Sequence, residues 1–186
     1  MDYRLAILLI AIVPLTLLIW ALFKRVESIQ RLLFIYWRVA LLVPITIYLA
    51  IASWPISFVT GAIARILIPI CLWFWVDINE EIEDLGSRPI KLALTAWRWA
   101  VSVYCVLGAV SMIPFLPCAF TAGAIKQPFC QVWLEAPWKF METFHRNSDP
   151  RSLGFVGLLG LIIYLFYLSY FVVIRLGKQG RLAIPQ

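Results

Sequence analysis

Apolar residues run almost unbroken through five stretches of the chain, and polar residues gather between them. The stretches are residues 5–23, 32–53, 57–76, 92–115 and 153–174. Each can cross a hydrocarbon core of about 30 Å, which takes roughly 20 residues at about 1.5 Å per residue. Lipid offers no hydrogen bonds to the backbone, so each stretch is predicted to be a helix. A barrel would need short alternating strands instead. Pro14 and Pro44 fall inside the first and second spans, which a lipid-buried helix tolerates.

The segments between the spans set the connectivity. Residues 24–31 form a short polar connector. Trp54–Pro55 turns the chain so sharply that the second and third spans should form an antiparallel hairpin. Residues 77–91 are acidic, then basic, with Gly86 and Pro89 as punctuation. A long loop covers 116–152, and a short basic tail covers 175–186. The fold class expected is an all-α polytopic membrane helical bundle of about five transmembrane helices, with residues 1–186 as a single membrane domain.

Composition agrees with this pattern. Apolar residues make up 63% of the chain and charged residues only 14%. A soluble domain carries about 25% charged residues. The net charge of +6 would suggest nucleic acid in a soluble protein, but here cytoplasmic loop ends account for it. No nucleic-acid partner is expected. Residues 1–23 read as a retained anchor, since Lys24 and Arg25 follow the apolar run and no small-x-small cleavage site does.

Basic residues also predict orientation. Lys24, Arg25, Arg31, Arg88, Lys91, Arg175, Lys178 and Arg181 lie on short segments of one side. The other side has Arg4, with Lys126, Lys139, Arg146 and Arg151 spread over the long loop. The first side is expected in the cytoplasm, which makes the chain N-out and C-in. Trp54, Trp133 and Trp138 then fall on the outer side, and the other six tryptophans towards the inner one.

Several residues are candidates for special roles. Cys118 and Cys130 sit in the outer loop, in a compartment where disulfides persist, and form either a disulfide or a pair of buried thiols. Cys71 and Cys105 lie within spans and read as packing residues. Residues 132–145 mix Trp133, Trp138, Phe140 and Phe144 with Glu135, Lys139 and Glu142. This suits a short interfacial helix, or a docking surface for another membrane subunit.

Arg65 lies near the middle of the third span with no acidic residue beside it, and an intramembrane arginine is costly. It is expected either to be a structural arginine satisfied inside the bundle, or to meet backbone carbonyls at a proline break such as Pro69, a bound anionic lipid or a partner protein. Arg38 and Arg98 stand in similar strings, Trp37–Arg38–Val39–Ala40 and Trp97–Arg98–Trp99–Ala100, near the inner ends of their spans. Asp77, Glu80, Glu81 and Asp84 follow the third span at helical spacing. Ion pairs from them to Arg38 and Arg98 are expected to form a cytoplasmic cluster. A divalent cation is the alternative. In the fifth span Gly154, Gly157, Gly160, Tyr164 and Tyr167 make one stripe that suits close helix packing. The tyrosines could otherwise contact a pigment or quinone ring.

Missing residues narrow the chemistry. His145 is the single histidine, which excludes a haem held by two histidines of this chain. No P-loop, nucleophile elbow or His-Glu-x-x-His motif is present.

The strings IQRLLFIYWRVA at 29–40 and PISFVTGAIARILIPICLWFWVDINEEI at 55–82 carry a resemblance, together with 97–109, the loop 118–138 and the terminal IRLGKQGR. On them the chain resembles a family of uncharacterised cyanobacterial integral membrane proteins, known as a domain of unknown function. The resemblance implies a photosynthetic host, with the chain in its thylakoid or plasma membrane, and no functional residue to carry over.

The function expected is a non-catalytic accessory or assembly protein of a photosynthetic or respiratory membrane complex, without enzyme activity or cofactor. Its expected partners are the lipid bilayer and a membrane protein or a second copy of the chain. Two alternatives remain: a small oligomeric transporter or channel built on Arg65, or an enzyme handling lipid or quinone.

Overall fold

A computed structural model of the chain describes residues 3–86, 88–121 and 123–176. Among the described residues there are helices and turns but no strand. Lys178, Arg181 and the side chain of Arg175 lie outside what is described.

Five helices are long and apolar enough to cross a membrane: Arg4–Lys24, Glu27–Ile51, Ile56–Trp73, Pro89–Phe115 and Pro150–Val173. They are called the first to fifth spans below. The second span begins earlier than the apolar pattern indicates, because the helix continues back through the polar connector. There Arg31 and Glu27 pair at 3.0 Å across one helical turn. The third span ends earlier, at Trp73, for a reason that comes from the fourth span and is given below.

Two reversals have the same local design. After the first span, Arg25 takes a left-handed conformation at φ 52°. Its N–H donates to the Leu22 carbonyl, and Val26 N–H donates to that of Ala21. After the second span Ser53 does the same at φ 55°, donating to Ala50 while Trp54 donates to Leu49. This pair of bonds satisfies the last carbonyls of a helix while turning the chain. The hairpin therefore turns on Ser53, ahead of the Trp54–Pro55 pair.

The first span solves a problem created by Pro14. Proline has no N–H, so the carbonyl four or five residues earlier loses its donor. The helix shifts into a π register over Leu8–Ile12, and both affected carbonyls receive side-chain donors. Trp97 Nε1 donates to Leu9 O at 2.8 Å, and Tyr36 hydroxyl donates to Ile10 O at 2.6 Å. These rings pack edge to face, with centroids 5.0 Å apart. Unpaired backbone groups are costly in lipid, so these two bonds tie the first span to the second and fourth.

The first four spans close a ring in which the first packs on the second and fourth, and the third packs on the second and fourth. The fifth stands outside, against the C-terminal half of the second, with Ala64 and Leu67 of the third beneath it. Gly154, Gly157 and Gly160 make this approach close. A Cβ at Gly154 would run into that of Ala52, and one at Gly157 would lie 3.0 Å from Tyr48 Cβ and 3.1 Å from Leu49 N. The glycine stripe is thus taken up inside the chain.

The long loop contains a helix, Pro128–Phe144, longer than its sequence pattern indicates. It packs on the C-terminal half of the second span and touches the start of the first. Cys118 and Cys130 lie at disulfide bonding distance, with Cα atoms 6.0 Å apart. The pair joins the stretch that leaves the fourth span to the first turn of the loop helix.

Candidate functional site

The glycines hold the fifth span close only in its N-terminal half. At Tyr164, Tyr167 and Phe171 its side chains are large, and a cavity of about 210 Å³ opens between the second, third and fifth spans. Its walls are apolar, with Ile35, Leu67, Ile70 and Phe171 among them. The polar groups on its lining belong to Arg38, Tyr164, Tyr167 and Trp75.

These groups are rich in donors. Arg38 Nη1 donates to the Tyr167 hydroxyl at 3.4 Å. Among the described residues no carboxylate lies within ion-pair distance of Arg38, and its side chain is exposed. Trp75 is only 5% exposed, yet its indole N–H has no hydrogen-bond partner. Tyr164 is buried, while Tyr167 reaches the surface. The stripe of glycines and tyrosines therefore divides into a packing half and a cavity half. The cavity is smaller than the roughly 300 Å³ at which pockets begin to enclose drug-sized ligands, and it is open on one side.

Arg98 does not share the environment of Arg38. It is buried and donates to the Leu72 carbonyl at 2.6 Å and to Asn79 Oδ1 at 2.7 Å. Its guanidinium lies 4.0 Å from the centre of the Trp73 ring. Asn79 Nδ2 in turn donates to the Trp73 carbonyl at 3.3 Å. A cation and an amide thus satisfy the last carbonyls of the third span, where the helix dipole favours positive charge. This capping stops the helix at Trp73. Trp75 then takes an extended conformation, and a second helix starts at Val76.

The expected acidic cluster is corrected by this break. Asp77 lies in the first turn of the new helix, Val76–Glu83, where the dipole favours a carboxylate. Among the described residues, neither Arg38 nor Arg98 lies within ion-pair distance of Asp77, Glu80, Glu81 or Asp84. Glu81 pairs instead with Arg31 at 3.7 Å. Glu81 and Asp84 share a shallow polar depression with Arg25, Glu27 and Arg88. Among the described residues no three His, Cys, Asp or Glu side chains converge as a metal site requires.

Arg65 is held within the chain, away from Pro69. Its Nη1 donates to the Gly61 carbonyl at 3.0 Å and lies 3.1 Å from Met112 Sδ. Helical side chains lean towards the N-terminus of their helix, which carries this guanidinium towards the loop helix. There it sits 5.0 Å from the centre of the Trp133 ring. Phe115 stacks on Phe129 at 4.5 Å and packs on Trp133 at 5.4 Å. Tyr48 hydroxyl lies 3.3 Å from His145 Nε2 at the far end of the loop helix. Arg65, the cysteine pair and these rings anchor the loop helix across the bundle.

The residues that sequence reasoning missed are Tyr36, Trp97, Asn79, Trp75 and Met112. Pro14 signalled that a carbonyl would be freed, but nothing local named its donors.

The sequence profile of a family described as Protein of unknown function (DUF3177) matches residues 1–184, and the chain belongs to that family. No curated protein and no solved structure matches it.

Proposed function

We propose that the chain is a non-catalytic integral membrane accessory or assembly protein of a membrane complex, set N-out and C-in in the thylakoid or plasma membrane of a photosynthetic host. The observation that carries this reading is how the deep charges are used. Arg65 and Arg98 hold backbone carbonyls and aromatic rings of their own bundle. A carrier would turn such charges towards a substrate path, and here Trp133 covers Arg65.

The orientation rests on the excess of basic residues at one set of loop ends, and on the Cys118–Cys130 pair, which suits an oxidising compartment. The loop helix then lies at the outer interface. Its buried residues Cys130 and Leu134 face the bundle, while Phe129, Val132 and Phe144 stay exposed, as suits lipid or a neighbouring membrane subunit. A second reading, that the chain handles a lipid or quinone, is favoured by the cavity at Arg38.

Gentle solubilisation of the native membrane, followed by native electrophoresis and mass spectrometry, tests the main reading. Co-migration with a fixed set of membrane proteins is expected. A chain that always migrates alone, or with copies of itself only, contradicts it.

A further inference from the structure

We propose that the cavity between the second, third and fifth spans is a specific binding site for one anionic lipid, with an acyl chain in the apolar groove and the acidic headgroup on Arg38. This goes beyond the accessory role and does not depend on which leaflet the cavity faces.

Charge complementarity selects the occupant. Arg38 is an exposed cation inside a spanning helix and is held by one neutral hydroxyl, at 3.4 Å. Its counterparts are compensated within the chain. Arg31 pairs with Glu27 and Glu81. Arg65 and Arg98 are absorbed by carbonyls and rings. A cation left in an apolar setting without a carboxylate calls for an anion from outside the chain.

Reach is sufficient. Arg38 lies seven residues after Arg31, about 10 Å along the axis. Its side chain leans back towards the N-terminus of the helix, which carries the guanidinium towards the interface. A headgroup phosphate at the interface can meet it there. Arginine is also suited to grip a phosphate with two N–H groups.

The groove supplies the remainder. Its walls are apolar and its volume is about 210 Å³, room for part of a flexible chain. The Tyr167 hydroxyl, which accepts from Arg38, can donate its own proton to an oxygen of an ester or headgroup. A neutral quinone would meet the donors but leave the charge of Arg38 uncompensated.

Native mass spectrometry of the purified full chain tests this. Phosphatidylglycerol and phosphatidylcholine with the same acyl chains are titrated separately onto delipidated protein. The expected result is one phosphatidylglycerol bound about tenfold more tightly than phosphatidylcholine, with that preference lost in Arg38→Gln, on the order of the effect of one charge-assisted contact. Leu168→Trp, which places a ring in the groove, should weaken both lipids. Equal binding of the two lipids by the unaltered chain would overturn the proposal, even if Arg38→Gln failed to fold. So would an undiminished preference in Arg38→Gln, or a neutral quinone that stays bound in the presence of excess phosphatidylglycerol.

Discussion

Replacing Tyr36 with Phe removes a single oxygen from the centre of the bundle. The ring contacts to Trp97 and Trp37 persist, so the perturbation isolates the hydroxyl. That hydroxyl is the side-chain donor to Ile10 O, at 2.6 Å. Tyr36 is 0% exposed, so water does not take its place. Leaving a buried acceptor without a partner costs about 1–3 kcal/mol, and the apolar surroundings favour the upper half of that range. The measurement is reversible unfolding in mixed micelles, compared between the unaltered chain and Tyr36→Phe. The decisive control is Pro14→Ala. Alanine restores the N–H that proline lacks, so the backbone itself can serve Ile10 O. In that background Tyr36→Phe should cost less than about 0.5 kcal/mol, which appears as a coupling energy in a double-mutant cycle. Equal losses with and without the Pro14→Ala substitution would refute the reasoning, as would no loss when Pro14 is kept.

Further outcomes follow from the same contacts. Gly154→Ala should destabilise most, Gly157→Ala by about 1–3 kcal/mol, and Gly160→Ala least. The first meets the Ala52 Cβ, the second meets backbone, and the third meets the movable Ile45 side chain at 3.2 Å. Ala52→Gly should rescue Gly154→Ala alone, as read by thermal stability in detergent. Arg98→Gln should cost about 3 kcal/mol by removing charged donors from Leu72 O and Asn79. Arg98→Lys should recover only part of that, since an ammonium lacks the planar fork, and a full recovery in the same unfolding assay counts against the capping role. Replacing Cys118 and Cys130 with serine, or reducing them, should cost about 3 kcal/mol for a loop of this length. Equal melting with and without reductant would show that the pair does not stabilise the loop.

The spans were legible because lipid makes a strong demand of local sequence: about 20 apolar residues and a closed backbone ladder. The turns on Arg25 and Ser53 were less so, since both place a non-glycine residue at positive φ. The end of the third span was hidden altogether. Neither glycine nor proline marks Phe74–Trp75, and the stop comes from Arg98, a residue 26 positions away from its Leu72 partner. The acidic cluster was misassigned for that reason: an unbroken helix would aim its carboxylates at different arginines. The glycine stripe was visible, but periodicity does not say whether the facing helix belongs to the same chain. The cavity at Arg38 was invisible for a further reason. It exists only because the fifth span is drawn in at its glycines and held off at its tyrosines.

Arrangement in the membrane underlies the rest, and impermeant maleimide labelling of intact bacterial cells that carry the chain in their plasma membrane addresses it directly. Single cysteines at Arg25, Glu83 and Gln131 probe three connections, all at exposed positions. The native cysteines give little background, since Cys71 and Cys105 are buried and the other two are paired. Gln131→Cys is expected to label from outside, and Arg25→Cys and Glu83→Cys only after the membrane is opened. Labelling of Glu83→Cys and Gln131→Cys from the same side would contradict the account, because it would leave the fourth helix uncrossed by the membrane.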